Sequence, residues 1–192
     1  MLPLALALWI LSMNSRRFQA PWGRALWITS VAVTVICLAI SGTSLWRTGY
    51  PSSLGELTGI LPLLIILGAA PFAIRGYQIA DGALVVERLF WGTRISLEGL
   101  VSATSESRAM HGSIRTFGNG GMYSISGWYW SRSLGAYRAF VTDLNRTVVL
   151  RFRNRTVVIS PAEPDKFAAA DTGIIGTAPD VATPEQTPAV TR

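Results

Sequence analysis

Cys37, His111 and Lys166 are each the only residue of their kind in the chain. A single thiol excludes an intrachain disulfide and a Cys-x-x-Cys redox pair, and one Cys with one His cannot make a zinc site of the Cys/His type. Cys37 lies within a long apolar run and reads as a small residue facing lipid or a neighbouring helix. His111 stands in a polar, Gly-flanked stretch with no Ser or Cys motif aimed at it. It reads as a solvated loop residue, because a general base needs a positioned partner. Charge is also scarce, at 15% of residues against about 25% in soluble domains. The deficit is local and points to membrane spans. Sixteen Arg and one Lys against 11 acids leave a net charge of +6, a sign that suits an anionic partner. No catalytic residue, cofactor site or metal-ligand set emerges, so the sequence does not read as an enzyme.

What is present begins with two uncharged runs, Ala25 to Trp46 and Leu57 to Ile74. A helix of about 20 residues crosses the ~30 Å hydrocarbon core, so the pair predicts a transmembrane helical hairpin over 25–74. Trp27 and Trp46 fall near the ends of the first run, where amphipathic rings favour the interface. The absence of Asp, Glu, Lys, Arg and His from both runs argues against a proton- or ion-coupled transporter. Arg16, Arg17 and Arg24 precede the hairpin, and Arg75, Arg88 and Arg94 follow it, with Arg47 alone in the loop. That distribution predicts an integral protein of the inner membrane with both its N-terminus and its C-terminal domain in the cytoplasm. Residues 1–24 form an apolar and basic N-terminal segment. Its first 13 residues are short for a span, and an interfacial helix, a third span and a start-site artefact all stay open.

From Gly76 the hydrophobic period changes to two, which predicts strands. Asp81-Gly82 is a tight hairpin signal, and Trp91-Gly92-Thr93 marks the next turn. A second hairpin runs from Thr147 to Ser160, with Asn154-Arg155 as its two-residue loop. Alternation then places Val148, Leu150, Phe152, Val157 and Ile159 on a core face, and Val149, Arg151, Arg153, Thr156 and Val158 on an outward face. A short helix opens after Pro161 with acids in its first turn and Phe167 as its apolar contact. The tail 171–192 has too few large apolar residues to pack and is expected to be disordered.

Three segments carry a resemblance to a known family. They are the Y-x-I-x-D-G-x-L opening at Tyr77, the strand Y-R-A-F-V-T-D at Tyr137, and the ending V-V-I-S-P-A-E-P-D-K-F at Val157. Residues 75–170 resemble the bacterial pleckstrin-homology (PH) domains of small membrane proteins. The resemblance implies an α+β, mainly β, PH-like barrel of about seven antiparallel strands with one short C-terminal capping helix. It implies a fold and a membrane setting more than an activity. Two departures stand out. Eukaryotic PH domains that grip phosphoinositides gather basic residues in the first hairpin loop, which here is the acidic, tight Asp81-Gly82. The closing helix also looks cut short at Ala170.

The stretch Thr116 to Phe140 is rich in glycine and aromatic rings. A phosphate cradle would need a following helix and a Gly-Lys-Ser/Thr, and neither is there. Stacking on single-stranded nucleic acid would use Trp128, Trp130, Tyr137, Arg132 and Arg138, but a membrane-tethered chain gives no reason for it. The plain reading is packing, with Gly at barrel corners and rings filling the interior. In Gly-Trp-Tyr-Trp, however, Trp128 and Trp130 share one side and Tyr129 takes the other. All three cannot be core, so Trp128 and Trp130 form a candidate lip against the membrane interface or a partner. Arg146, Arg151, Arg153 and Arg155 form a second candidate surface, with a solvated, aggregation-resistant edge as its plainer reading. The function expected is a membrane-anchored, non-enzymatic PH-like module that recruits or regulates an unidentified protein partner. The alternative is a direct sensor of anionic lipid head groups.

Overall fold

The computed structural model describes residues 16–47 and 53–175. The apolar segment 1–13 and the tail beyond Ile175 lie outside the described residues. Strand β1 (Arg16–Gln19) leads into helix α1 (Arg24–Arg47), and α2 (Ser53–Ala69) returns alongside it. A 3-10 turn, Ala70–Phe72, joins α2 to β2 (Ile74–Ala80). Because β2 pairs antiparallel with β1, the hairpin is an excursion between two neighbouring strands of one sheet. Residues 16–19 therefore belong structurally with the β-domain, although they stand within the N-terminal segment 1–24. A four-residue strand has no period of its own to read, and its partner is some 60 residues away.

β2, β3 (Ala83–Arg88) and β4 (Gly92–Ser96) complete a four-stranded sheet in the order β1-β2-β3-β4. The β2–β3 turn is the expected Asp81-Gly82, with φ of 50° and 65°, the two positive values that a type I′ turn requires. The β3–β4 turn falls two residues earlier than expected. Arg88 pairs with Trp91, so Leu89-Phe90 forms the tip and Gly92 already belongs to β4.

The second sheet has six strands: β5 (Leu100–Ser105), β6 (Ile114–Gly120), β7 (Ile125–Ser131), β8 (Gly135–Val141), β9 (Val148–Phe152) and β10 (Thr156–Ile159). They are ordered β5-β9-β10-β8-β7-β6. The strand count exceeds the expected seven, and the sheet is not wholly antiparallel. β10 inserts between β9 and β8 and runs parallel to β8. The β9–β10 loop is Arg153-Asn154, since Phe152 N–H donates to Arg155 O at 2.9 Å. The register thus differs from the expected one by two residues, which leaves every side chain on its expected face.

Around β9 and β10 that sheet is buried on both faces, which corrects part of the expected outward set. Val148, Leu150, Phe152, Val157 and Ile159 pack toward the four-stranded sheet with Tyr77, Leu84, Val86 and Phe167. Val149 and Val158 are also fully buried. They lie in a second core with Tyr129, Tyr137, Val141 and Leu26 of α1. Helix α3 (Pro164–Ile175) covers β5, with Phe167 against Phe18 of β1 at 4.8 Å. It runs past the expected stop at Ala170, so residues 171–175 are helical rather than tail.

A buried polar knot ties the hairpin to both sheets. The Tyr77 hydroxyl donates to Phe140 O at 2.7 Å and accepts from Ser160 N at 3.2 Å. Ser160 Oγ accepts from the backbone N–H of Thr142 (2.7 Å) and Asp143 (3.2 Å). Thr142 Oγ1 then donates to Pro21 O, and Gly23 N–H to Thr142 O, both at 2.9 Å. A Cβ on Gly23 would lie 2.7 Å from Asp143 Oδ1, so only glycine lets the chain pass here into α1. Burial raises the Tyr77 phenol to about 12, only partly opposed by its bonds to Ser160 and Thr142.

Candidate binding site

The strand directions give the domain a hairpin end and a far end. At the hairpin end lie the start of α1, the 3-10 turn, the Leu89-Phe90 tip and the β6–β7 loop. That loop sits on α1: Thr29 Oγ1 donates to Gly121 O (2.9 Å), Tyr123 N–H donates to Ser30 Oγ (2.9 Å), and the Thr34 and Tyr123 hydroxyls meet at 2.8 Å. At the far end lie the Asp81-Gly82 turn and the Arg153-Asn154 loop, each bonded to the β4–β5 connection.

Between the last turn of α2 and strands β6–β8 is an open cavity of about 530 Å³. Phe72, Arg88, Phe117, Trp128, Arg138 and Phe140 are among its lining side chains, and no carboxylate among the described residues lines it. Register explains the wall: on one face of β7 and β8, Trp128 stands opposite Arg138, and Ser126 opposite Phe140. This face continues the inter-sheet core, but the four-stranded sheet does not extend over it. Its floor is Gly118 against Gly127, with φ of 116° and 147°. A Cβ on Gly118 would come within 2.6 Å of the Gly127 Cα, so side chains on either residue would push β6 from β7.

Two guanidiniums share one ring. The Arg88 Cζ lies 5.6 Å and the Arg138 Cζ 4.9 Å from the Phe140 centroid. Arg88 also stacks on Phe72 (5.6 Å) and Arg138 on Trp128 (5.8 Å). Arg88 Nη1 donates to Phe72 O at 2.9 Å and so fixes the connection from α2. Its Nε–H is buried with no hydrogen-bond partner among the described residues. Burial first and the like charge of Arg138 second push the Arg88 guanidinium below its usual value, with Tyr77 opposing. Neither Arg forms an ion pair among the described residues.

Trp128 and Trp130 share a face as expected, at 50% and 44% exposure, while Tyr129 is buried on the other. Tyr129 stacks on Tyr137 at 5.9 Å, and burial raises both phenols. The four arginines of the other candidate surface are not brought to these rings. Arg146 pairs with Asp143 at 3.6 Å, and Arg151 with Glu106 at 3.8 Å. Arg155 Nη2 donates to Ser96 O at 2.9 Å, and its Cζ stacks on Phe152 at 4.6 Å. Arg153 and Arg155 border a far-end cleft that also contains Glu98. Cys37 is buried within α1, and His111 is an exposed turn residue.

Sequence reasoning considered Arg138 only as part of a nucleic-acid surface and gave Arg88 no role beyond its charge. Arg138 had a usable signal, because it alternates with buried Tyr137 and Ala139 on a strand facing Trp128. Nothing local separates Arg88 from Arg94.

Against known families, residues 75–172 match the description Bacterial PH domain. The chain belongs to the bacterial PH domain family. This PH domain matches from the end of the hairpin to α3, and the three motifs that carried the resemblance supply Tyr77, Thr142 and Ser160 to the buried knot. Compared with curated proteins and with solved structures, the chain finds no match. Membership supports a binding or scaffold module.

Proposed function

We propose that the chain is a membrane-anchored, non-catalytic binding module whose PH domain rests on the cytoplasmic face of the membrane and takes a ligand presented there. One observation carries the reading: the hairpin is inside out. The buried and half-buried positions of α1 are Leu26, Ser30, Thr34, Cys37, Ser41 and Ser44, a single stripe at helical spacing. Its outward positions include Trp27, Ile28, Val35, Ile36, Leu38 and Trp46. Small and polar residues on the covered side of α1, where the β6–β7 loop takes Ser30 and Thr34, with large apolar ones outside suit a lipid surround, and not water. Gly59 of α2 answers the end of this stripe, since a Cβ there would lie 3.6 Å from the Ser44 Cβ and 3.1 Å from the adjoining Leu45.

By length and composition α1 can cross a bilayer, whereas the apolar part of α2, Leu57–Phe72, is shorter. Trp27 and Trp46 are exposed and stand about 28 Å apart along the axis, close to the ~30 Å hydrocarbon thickness. With Trp27 at the interface, the contacts of Thr29 and Thr34 bring the β6–β7 loop up to ~10 Å into the bilayer, the depth reached by interfacial helices. Phe72, Phe90, Trp91, Phe117 and Trp128, all more than 40% exposed, then form an aromatic collar at that level. This seating supports two spans, with α2 completed by its 3-10 turn, and the Arg excess on the domain side supports the cytoplasmic orientation.

The test is alkaline-carbonate extraction of the full chain from membranes, followed by protease treatment of inverted vesicles. Retention in the pellet, with the PH domain digested in inverted but not in right-side-out vesicles, is expected. Release by carbonate, or digestion from the outer side, contradicts the reading.

A further inference from the structure

We propose that the cavity between the end of α2 and strands β6–β8 binds the phosphate of an anionic phospholipid head group between Arg88 and Arg138, with the acyl chains along α2. The proposal rests on the membrane-anchored reading and names the ligand that reading leaves open. Charge complementarity commits it to an anion, since two cations and, among the described residues, no carboxylate line the cavity. The buried Arg88 Nε–H has no partner among the described residues, so this guanidinium keeps hydrogen-bonding capacity that the fold does not meet. Planar guanidinium forks match phosphate oxygens pairwise. Both guanidiniums already lie over the Phe140 ring, which reduces the side-chain freedom to be lost on binding. Burial and the Arg138 charge already disfavour the charged form of Arg88, and a bound anion reverses that imbalance.

The walls select a lipid over a free anion. Phe72, Phe117 and Trp128 are apolar, and Gly68 and Ala69 of α2 complete the lining. A Cβ on Gly68 would meet nothing within 4 Å, so the helix surface there is open to a chain. Beyond it α2 exposes Leu64 and Leu67, the surface that lipid chains cover in the membrane-anchored reading. The cavity volume suits a head group with its first methylenes. The far-end arginines offer a poorer site, because Glu98 and Glu106 already stand beside them.

The experiment is native mass spectrometry of the full chain in uncharged detergent, titrated with dihexanoyl phosphatidic acid, dihexanoyl phosphatidylcholine or inorganic phosphate. Arg88 also holds Phe72 O, so the exposed Arg138 is the residue to change. Arg138→Gln is expected to weaken phosphatidic acid binding by about tenfold or more. Arg138→Lys should restore part of it, because charge returns without the fork. Arg151→Gln combined with Arg153→Gln and Arg155→Gln should change nothing, and inorganic phosphate should bind far more weakly than the lipid. Equal binding by wild type and Arg138→Gln overturns the pocket, as does phosphatidylcholine bound as tightly as phosphatidic acid. Inorganic phosphate bound as tightly as the lipid assigns the site to a free anion and overturns the lipid. Loss only in the triple variant moves lipid recognition to the far end while leaving the membrane-anchored module intact. Release by carbonate would fail that module itself.

Discussion

The hairpin and the sheets solve opposite packing problems in one chain. In the sheets and the helix that covers them, Leu84, Leu150, Ile159 and Phe167 are inside and most charges are outside. In the hairpin, Ser30, Cys37 and Ser41 are inside and Leu38, Leu64 and Leu67 outside. Burial of large apolar side chains drives the first arrangement in water. In lipid that drive between helices vanishes, and close approach over small residues takes its place. In the membrane-anchored reading proposed above, the two regimes meet at the hairpin end of the domain, where the polar knot and the arginine cavity lie.

The contrast is broken most strongly by one substitution placed in each region. Leu150→Ala removes a fully buried side chain of the inter-sheet core and is expected to cost about 2–5 kcal/mol. Leu38→Ala on the outer face of α1 should cost under ~1 kcal/mol, since lipid or detergent fills the gap as readily as leucine. Thermal unfolding of the full chain in uncharged micelles compares them. Equal losses would mean that the hairpin is packed like a soluble core.

Alkaline titration probes the knot between the regions. The buried Tyr77 is neutral in the fold and its phenol is raised to about 12, above its unfolded value near 10. Its contribution is fully present below pH 10 and is lost as pH rises through 12, on the order of 3 kcal/mol. Tyr77→Phe should lower stability by about 1–3 kcal/mol at neutral pH, because Ser160 N–H and Phe140 O lose a partner. It should also abolish most of the alkaline loss. An unchanged alkaline profile in Tyr77→Phe would assign that loss to other groups, such as Tyr129 and Tyr137, which burial also raises.

The hairpin seam gives the smallest effects. Ser41 is buried on the α1 stripe and its Oγ has no hydrogen-bond partner among the described residues. Ser41→Ala is therefore expected to be neutral to within about 0.5 kcal/mol or slightly stabilising. Ser41→Leu should separate the helices and cost about 1–3 kcal/mol by overpacking. Micelle unfolding reads both, and a tolerated Ser41→Leu would mean that the seam is loose.

Much of this arrangement was legible in the sequence where the signal is local. The uncharged runs, the Asp81-Gly82 turn, the alternation from Val148 to Ile159 and the Trp128/Tyr129 split each depend on neighbours within a few residues. Features that depend on long-range pairing were not. β1 is visible only through β2, the parallel β8–β10 pair only through chain topology, and the second core only because α1 lays Leu26 on the sheet. Arg88 and Arg138 are 50 positions apart and meet through Phe140, so no spacing rule could pair them. Conversely, Arg151, Arg153 and Arg155 stood out because they are close in sequence, yet Arg151 and Arg155 point to separate partners.

The most direct measurement is the sidedness of the two ends of the hairpin relative to the domain. In a Cys37→Ser background, Asn154→Cys marks the far end of the PH domain and Ser53→Cys the start of α2. A membrane-impermeant maleimide applied to sealed inverted vesicles should label Asn154→Cys and spare Ser53→Cys, with the opposite result in right-side-out vesicles. Labelling of both positions from the same side would contradict a hairpin that spans the membrane beneath a cytoplasmic PH domain.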